Sequence, residues 1–103
     1  MYKLVFFVPV ADKESVKQAV FAAGAGKIGN YDQCCWEVEG QGQFRPLPGA
    51  NPAIGQLQNL EKVGEYRVEM VCEDHLIGAV VAALKGAHPY EEPAYECWQL
   101  AEI

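Results

Sequence analysis

The chain contains no threonine and a single serine, Ser15, so hydroxyl nucleophiles are almost missing. With His75 and His88 as the only imidazoles, in unrelated contexts, no nucleophile, base and orienting group can be assembled. Basic residues are also scarce, eight against fourteen acidic ones, for a net charge of -6. Without an arginine cluster or basic patch the chain lacks what phosphate tracking requires, which excludes nucleic acid as a partner. Long apolar runs are absent too. Tyr2 to Val8 is only strand-length, and Asp12, Lys13 and Glu14 follow at once, so neither a signal peptide nor a membrane span is expected. Four cysteines, two adjacent and none in a CxxC pair, make no secreted disulfide framework, and a reducing cytoplasm is the expected location.

What is present suits one domain over residues 1–103. Half of the 103 residues are apolar, enough for a core without disulfide or metal as an obligatory staple. Leu4, Phe6 and Val8 share one face of a first strand, and Val5 and Phe7 share the other, so both faces want cover. Asp12 is placed to cap a helix through Ala23 whose apolar positions Val16, Ala19, Val20 and Ala23 recur at helical spacing, and Gly24 and Gly26 stop it. A second strand is predicted over Gln33 to Glu39, turning at Gly40 and Gly42 into a short partner over Gln43 to Leu47. Pro46 to Gly55 is too rich in proline and glycine for regular structure and reads as a long loop, a candidate binding element. A long strand then runs from Leu60 through Cys72, with a bulge expected at Gly64. Asp74 is placed to cap a helix striped by Leu76, Ile77, Val80, Val81 and Leu84, and Ala94 to Leu100 forms the last strand.

This β-α-β-β-α-β order predicts an α+β, ferredoxin-like antiparallel sheet with two helices on one face and a central hairpin and loop elaboration. The other face would carry Val5, Phe7 and one side of the last strand, an exposed apolar patch that isolated subunits rarely tolerate. A homo-oligomer that buries it is therefore expected.

The densest cluster of chemistry is Gly86-Ala87-His88-Pro89-Tyr90-Glu91-Glu92-Pro93. Pro89 and Pro93 push His88 and Glu92 away from helical backbone, so the segment should be stiff and extended. His88, Tyr90, Glu91 and Glu92 are thus candidates for a ligand site or a subunit interface. His88, Glu91 and Glu92 also offer a nitrogen and oxygen donor set suited to zinc, copper or manganese. The structural alternative carries more weight: Tyr90 packs, His88 caps the helix end and the glutamates pair with lysine or arginine. Cys34 and Cys35, on opposite sides of a strand, cannot readily chelate one ion, and all four thiols read as buried core residues. His75 reads as a solvated surface residue at a helix start. The Gly24 to Tyr31 segment could offer amides to a phosphate, but it leaves a helix C-terminus, the wrong end of the dipole, and reads as a turn.

The His88 run resembles the HPYE-x-P segment of CutA-type proteins. More closely, it resembles the G-A-H-P-Y-E-E segment of the PII/CutA-like domain inserted in YqfO-type (NGG1-interacting-factor-like) dimetal proteins. Met1 to Pro9 as a strand, Asp12 to Ala23 as a helix and Gly24 to Tyr31 as a glycine-rich exit follow the same order, and the resemblance covers nearly the whole chain. It implies a standalone homologue of that domain, with a PII-like ferredoxin fold and a trimer favoured over a dimer. It also implies that the dimetal site belongs to flanking domains outside this sequence, so the hydrolase or cyclohydrolase activity of full-length relatives is not carried over. The function expected is a non-catalytic oligomeric module that binds or senses a divalent metal or small ligand in clefts between subunits, lined by the His88 segment and the Pro46 to Gly55 loop. The alternatives are a regulatory partner docking on a dimetal enzyme, or a small hydrolase using His88 with Glu91 or Glu92.

Overall fold

A computed structural model describes all of residues 1–103. Strand β1 spans Tyr2–Pro9, helix α1 Lys13–Ala22, β2 Trp36–Phe44, β3 Glu61–Cys72, helix α2 Ile77–Ala87 and β4 Tyr95–Gln99. The strands form one sheet in the order β2-β3-β1-β4 with every neighbour antiparallel, the predicted ferredoxin-like arrangement. Neither helix is long and apolar enough to cross a membrane.

The core lies between one sheet face and both helices. Leu4, Phe6 and Val8 of β1 meet Val68, Met70 and Cys72 of β3, with Val16 and Val20 of α1 and Val80 and Leu84 of α2 closing over them. The period of two along the strands and of nearly four along the helices puts these residues on facing surfaces. On the opposite face Val5 is buried while Trp36, Val38 and Trp98 are exposed. That face is more polar than the sequence implies. The Arg67 guanidinium lies over the Phe7 ring at 5.7 Å and pairs with Glu69 at 3.2 Å, so a charged head sits over part of β1.

Several local expectations change. Gly40 and Gly42 make no turn: β2 runs straight through them in unbroken register with β3, from Trp36 opposite Glu69 to Phe44 opposite Glu61. The hairpin therefore turns through residues 45–60, and the same register leaves no bulge at Gly64. Pairing with a long, β-branched partner strand overrides the local turn preference of the glycines. Asp12 and Asp74 make no side-chain cap; each lies in a short 3-10 turn preceding its helix, and the Asp74 carboxylate instead accepts from the Met1 amine and the Gln99 amide. Cys34 and Cys35 precede β2 rather than lying on it; Cys72 is buried, Cys97 half-buried and Cys35 exposed, so only part of the buried-thiol expectation holds.

The glycine-rich exit from α1 is an extension of the sheet. Gly26 donates to Val71 O and accepts from Cys34 N, both at 2.8 Å. Its φ of +81° and the Phe21 ring against its Cα leave no space for a side chain. The amides of Gly24, Ala25, Gly26 and Ile28 are all spent within the chain, so the segment is a structural turn.

Phe6 is fully buried at the centre of β1. Phe6→Ala should therefore lower the unfolding free energy by about 3–5 kcal/mol, read as a shift of the denaturation midpoint at constant slope.

Candidate functional site

Where β1 outruns β4, its outward backbone needs a partner. The Phe7 N–H donates to Ala94 O at 3.1 Å, and the Phe7 carbonyl meets His88 Nε2 at 2.7 Å. His88 Nδ1 accepts from the Tyr90 backbone N–H at 3.2 Å. A carbonyl can only accept and a backbone amide can only donate, so the imidazole carries its proton on Nε2. His88 is 6% exposed and both nitrogens are engaged. Its own N–H also closes α2 through Leu84 O, and its extended ψ of 137° is the one that Pro89 enforces. The residue thus completes a strand ladder with its side chain while ending a helix with its backbone.

Tyr90 is turned the other way. Its ring meets Phe44 edge-on with centroids 5.7 Å apart, and its hydroxyl donates to Glu65 Oε2 at 3.0 Å. Burial first, and then the Glu65 hydrogen bond, push the phenol far above its ordinary range. Gly42 makes this possible, because a Cβ there would overlap the Glu65 carboxylate. Its conservation of space, rather than a turn, explains the absence of a side chain at that point of β2.

Tyr90, Phe44 and Glu65 border a cleft of about 700 Å³. Its opposite wall is the proline-rich loop, with Pro46, Leu47, Pro52 and Ile54, and its rim carries Arg45, Glu91 and Glu92. One hydrogen bond spans the two walls, from the Asn51 N–H to Glu91 Oε1 at 2.9 Å. The two elements singled out in the sequence therefore meet within a single chain.

The structure separates the proposed donor set. Tyr90, Glu91 and Glu92 face the cleft, whereas His88 is not among its lining residues. No group of three or more His, Cys, Asp and Glu side chains is placed to hold a metal ion. The imidazole has no free lone pair unless it gives up the Tyr90 amide, so His88, Glu91 and Glu92 do not fit a resident zinc, copper or manganese ion as arranged. Phe44 and Glu65 are not legible as site residues in the sequence because their contribution depends on strand register; the one local signal is Gly42, whose missing side chain makes room for the Glu65 carboxylate. Cys34 and Cys35 border a separate hollow of about 380 Å³ with Lys3, Trp36 and Glu69.

On this geometry the fold can be placed. Among solved structures, CutA1 from Pyrococcus horikoshii superposes with a TM-score of 0.71 at 14% identity, over all of this chain and 86% of that one. The periplasmic divalent cation tolerance protein CutA from Archaeoglobus fulgidus gives 0.69 at 12% identity, over all of this chain and 87% of that one. These define a CutA-like fold. A Bacillus cereus protein related to NIF3 matches with a TM-score of 0.83 and 42% identity, over 98% of this chain and 26% of that one. Curated proteins named GTP cyclohydrolase 1 type 2 homolog match as well. That of Mycobacterium tuberculosis is 49% identical over 95% of this chain and 26% of its own length, and that of Bacillus subtilis is 43% identical over 97% and 27%. This chain is a homologue of the CutA-like segment of NIF3/YqfO-type proteins and spans about a quarter of the relatives' length. No protein-family profile matches it.

Three outcomes test this site. His88→Ala strands the Phe7 carbonyl and should cost about 1–3 kcal/mol of stability in denaturant unfolding. Zinc, copper(II) and manganese added singly should leave the melting temperature of the wild type unchanged. The Tyr90 phenol has a folded pKa above the ordinary value of 10.0, so its contribution to stability is complete below pH 10 and is lost as pH rises toward the folded value. The tyrosinate absorbance of wild type minus Tyr90→Phe should accordingly appear only well above the ordinary phenol range. Gly42→Ala, by displacing Glu65, should bring it down.

Proposed function

We propose that this chain is a non-catalytic binding or sensing module that takes a small ligand in the cleft between Phe44, Tyr90 and the proline-rich loop, and that works as a homo-oligomer. The cleft carries the proposal. Its volume falls in the range of small-molecule sites, and proline, aliphatic and aromatic side chains share its lining with the polar groups of Glu65, Glu91, Glu92 and Arg45. A floor locked by the Tyr90–Glu65 bond and a wall tied by one bond combine preorganisation with access. An acid–base role for His88 has no support in this geometry, because His88 does not line the cleft and both ring nitrogens are engaged.

Self-association is supported by the open sheet face. Trp36 is 62% exposed and Trp98 41%, at opposite edges of a face on whose centre Val5 is buried and the Arg67 guanidinium lies over Phe7. Burying both indoles, each a large apolar surface, would stabilise an assembly, and a trimer is the form favoured by the CutA likeness. Four unpaired cysteines accord with a reducing cytoplasm.

Light scattering should give the mass of three subunits for the wild type and a lower mass for Trp36→Ser/Trp98→Ser, with secondary structure retained. A wild-type mass of one subunit would sink the oligomer. For the cleft, a metabolite screen followed by amide NMR should move residues of the proline-rich loop and Tyr90 together; ligands that move only other surfaces would reject the site.

A further inference from the structure

We infer that the ligand of this cleft is a small organic cation, an ammonium or guanidinium group on an apolar body; the inference rests on the cleft being the binding site. Three carboxylates, those of Glu65, Glu91 and Glu92, border the cleft against one cation, Arg45. An anionic ligand would meet a local excess of negative charge.

The carboxylates are only partly used. Glu65 accepts through Oε2 and Glu91 through Oε1, while Glu92 makes no hydrogen bond or ion pair in the structure. Each therefore keeps acceptor capacity toward the cleft, and a carboxylate has no hydrogen to offer in return. The complement is a donor-only head, which ammonium and guanidinium groups supply.

A bare divalent ion is a poor match. It needs several oxygens or nitrogens at close range around one point, and no such group of three acidic or imidazole side chains exists here. Between the carboxylates the cleft presents the Phe44–Tyr90 edge pair and the prolines of the facing loop, surfaces that bury hydrocarbon and gain nothing from a hydrated ion. At about 700 Å³ the cleft is far larger than an ion and suits a ligand with a body. The Asn51–Glu91 bond adds selectivity: a cationic head that engages Glu91 does so beside the hydrogen bond that joins the loop to the His88–Glu92 segment, so entry of the head and settling of the loop are coupled.

The test is amide NMR of the intact chain titrated separately with phenethylammonium, phenylpropionate and phenylethanol, which share a body and differ in head charge. Phenethylammonium alone should shift Phe44, Tyr90 and loop amides. Glu92→Gln, at an exposed and unbonded position, should weaken it by about tenfold without moving the rest of the spectrum. Equal binding of the three probes at the cleft, or no effect of Glu92→Gln together with Glu65→Gln, would overturn the cationic ligand and leave the cleft standing as a site. Binding of every probe elsewhere, or of none, would overturn both.

Discussion

The hydrogen bond between His88 Nε2 and the Phe7 carbonyl ties together the three parts on which everything else depends: the central strand, the end of α2 and the segment that floors the cleft. β1 is paired on both sides, yet β4 covers only its first five residues, from Tyr2 opposite Gln99 to Phe6 opposite Tyr95. Beyond that point a carbonyl near the core needs a donor, and an unpaired one is costly. An imidazole held by Pro89 supplies it. Because the same ring accepts from the Tyr90 amide, the backbone of the next residues is aimed before any of their side chains act.

From that anchor the cleft follows. Tyr90 is directed against Phe44 at the far end of β2, and Glu65 comes up beside it because Gly42 leaves the neighbouring strand bare at that point. A second polar cluster steadies the other end of the β2–β3 ribbon: Glu37 reaches across to Lys13 and Lys17 of α1, and Lys13 also lies over the Tyr66 ring at 3.9 Å. Burial works against the Lys17 charge, but the Glu14 hydrogen bond and nearby negative charge outweigh it and raise its pKa. The edge strand is thus held to the helix layer by charge where it lacks apolar residues.

Much of the fold was legible in the chain. Alternation in β1 and β3, the helical stripes Val16–Val20 and Val80–Leu84, and the stop at Gly24 and Gly26 are local patterns with local causes. Element order then left few sheet arrangements, and strand order β2-β3-β1-β4 is the one observed. The caps at Asp12 and Asp74 and the turn at Gly40–Gly42 misled because each is a preference of a few residues, and tertiary pairing outweighs a preference of that size. Likewise the open face read as apolar because sequence alternation cannot show that the Arg67 guanidinium lies over Phe7.

At the site the division is sharper. The residues from His88 to Glu92 declared themselves by type and by flanking prolines, which constrain backbone through bonds only one residue long. Their separation into an inward imidazole and a cleft-facing Tyr90, Glu91 and Glu92 depended on where β4 stops along β1, and the participation of Phe44 and Glu65 on the register of β2 with β3. Sequence alone determined both helices, strands β1, β3 and β4, the stiff segment and the scarcity of catalytic side chains, because those are properties of short stretches and of composition. Only the tertiary structure decided which atoms of that segment are spent on the protein and which are left for a ligand, because that depends on hydrogen-bond partners more than twenty residues away.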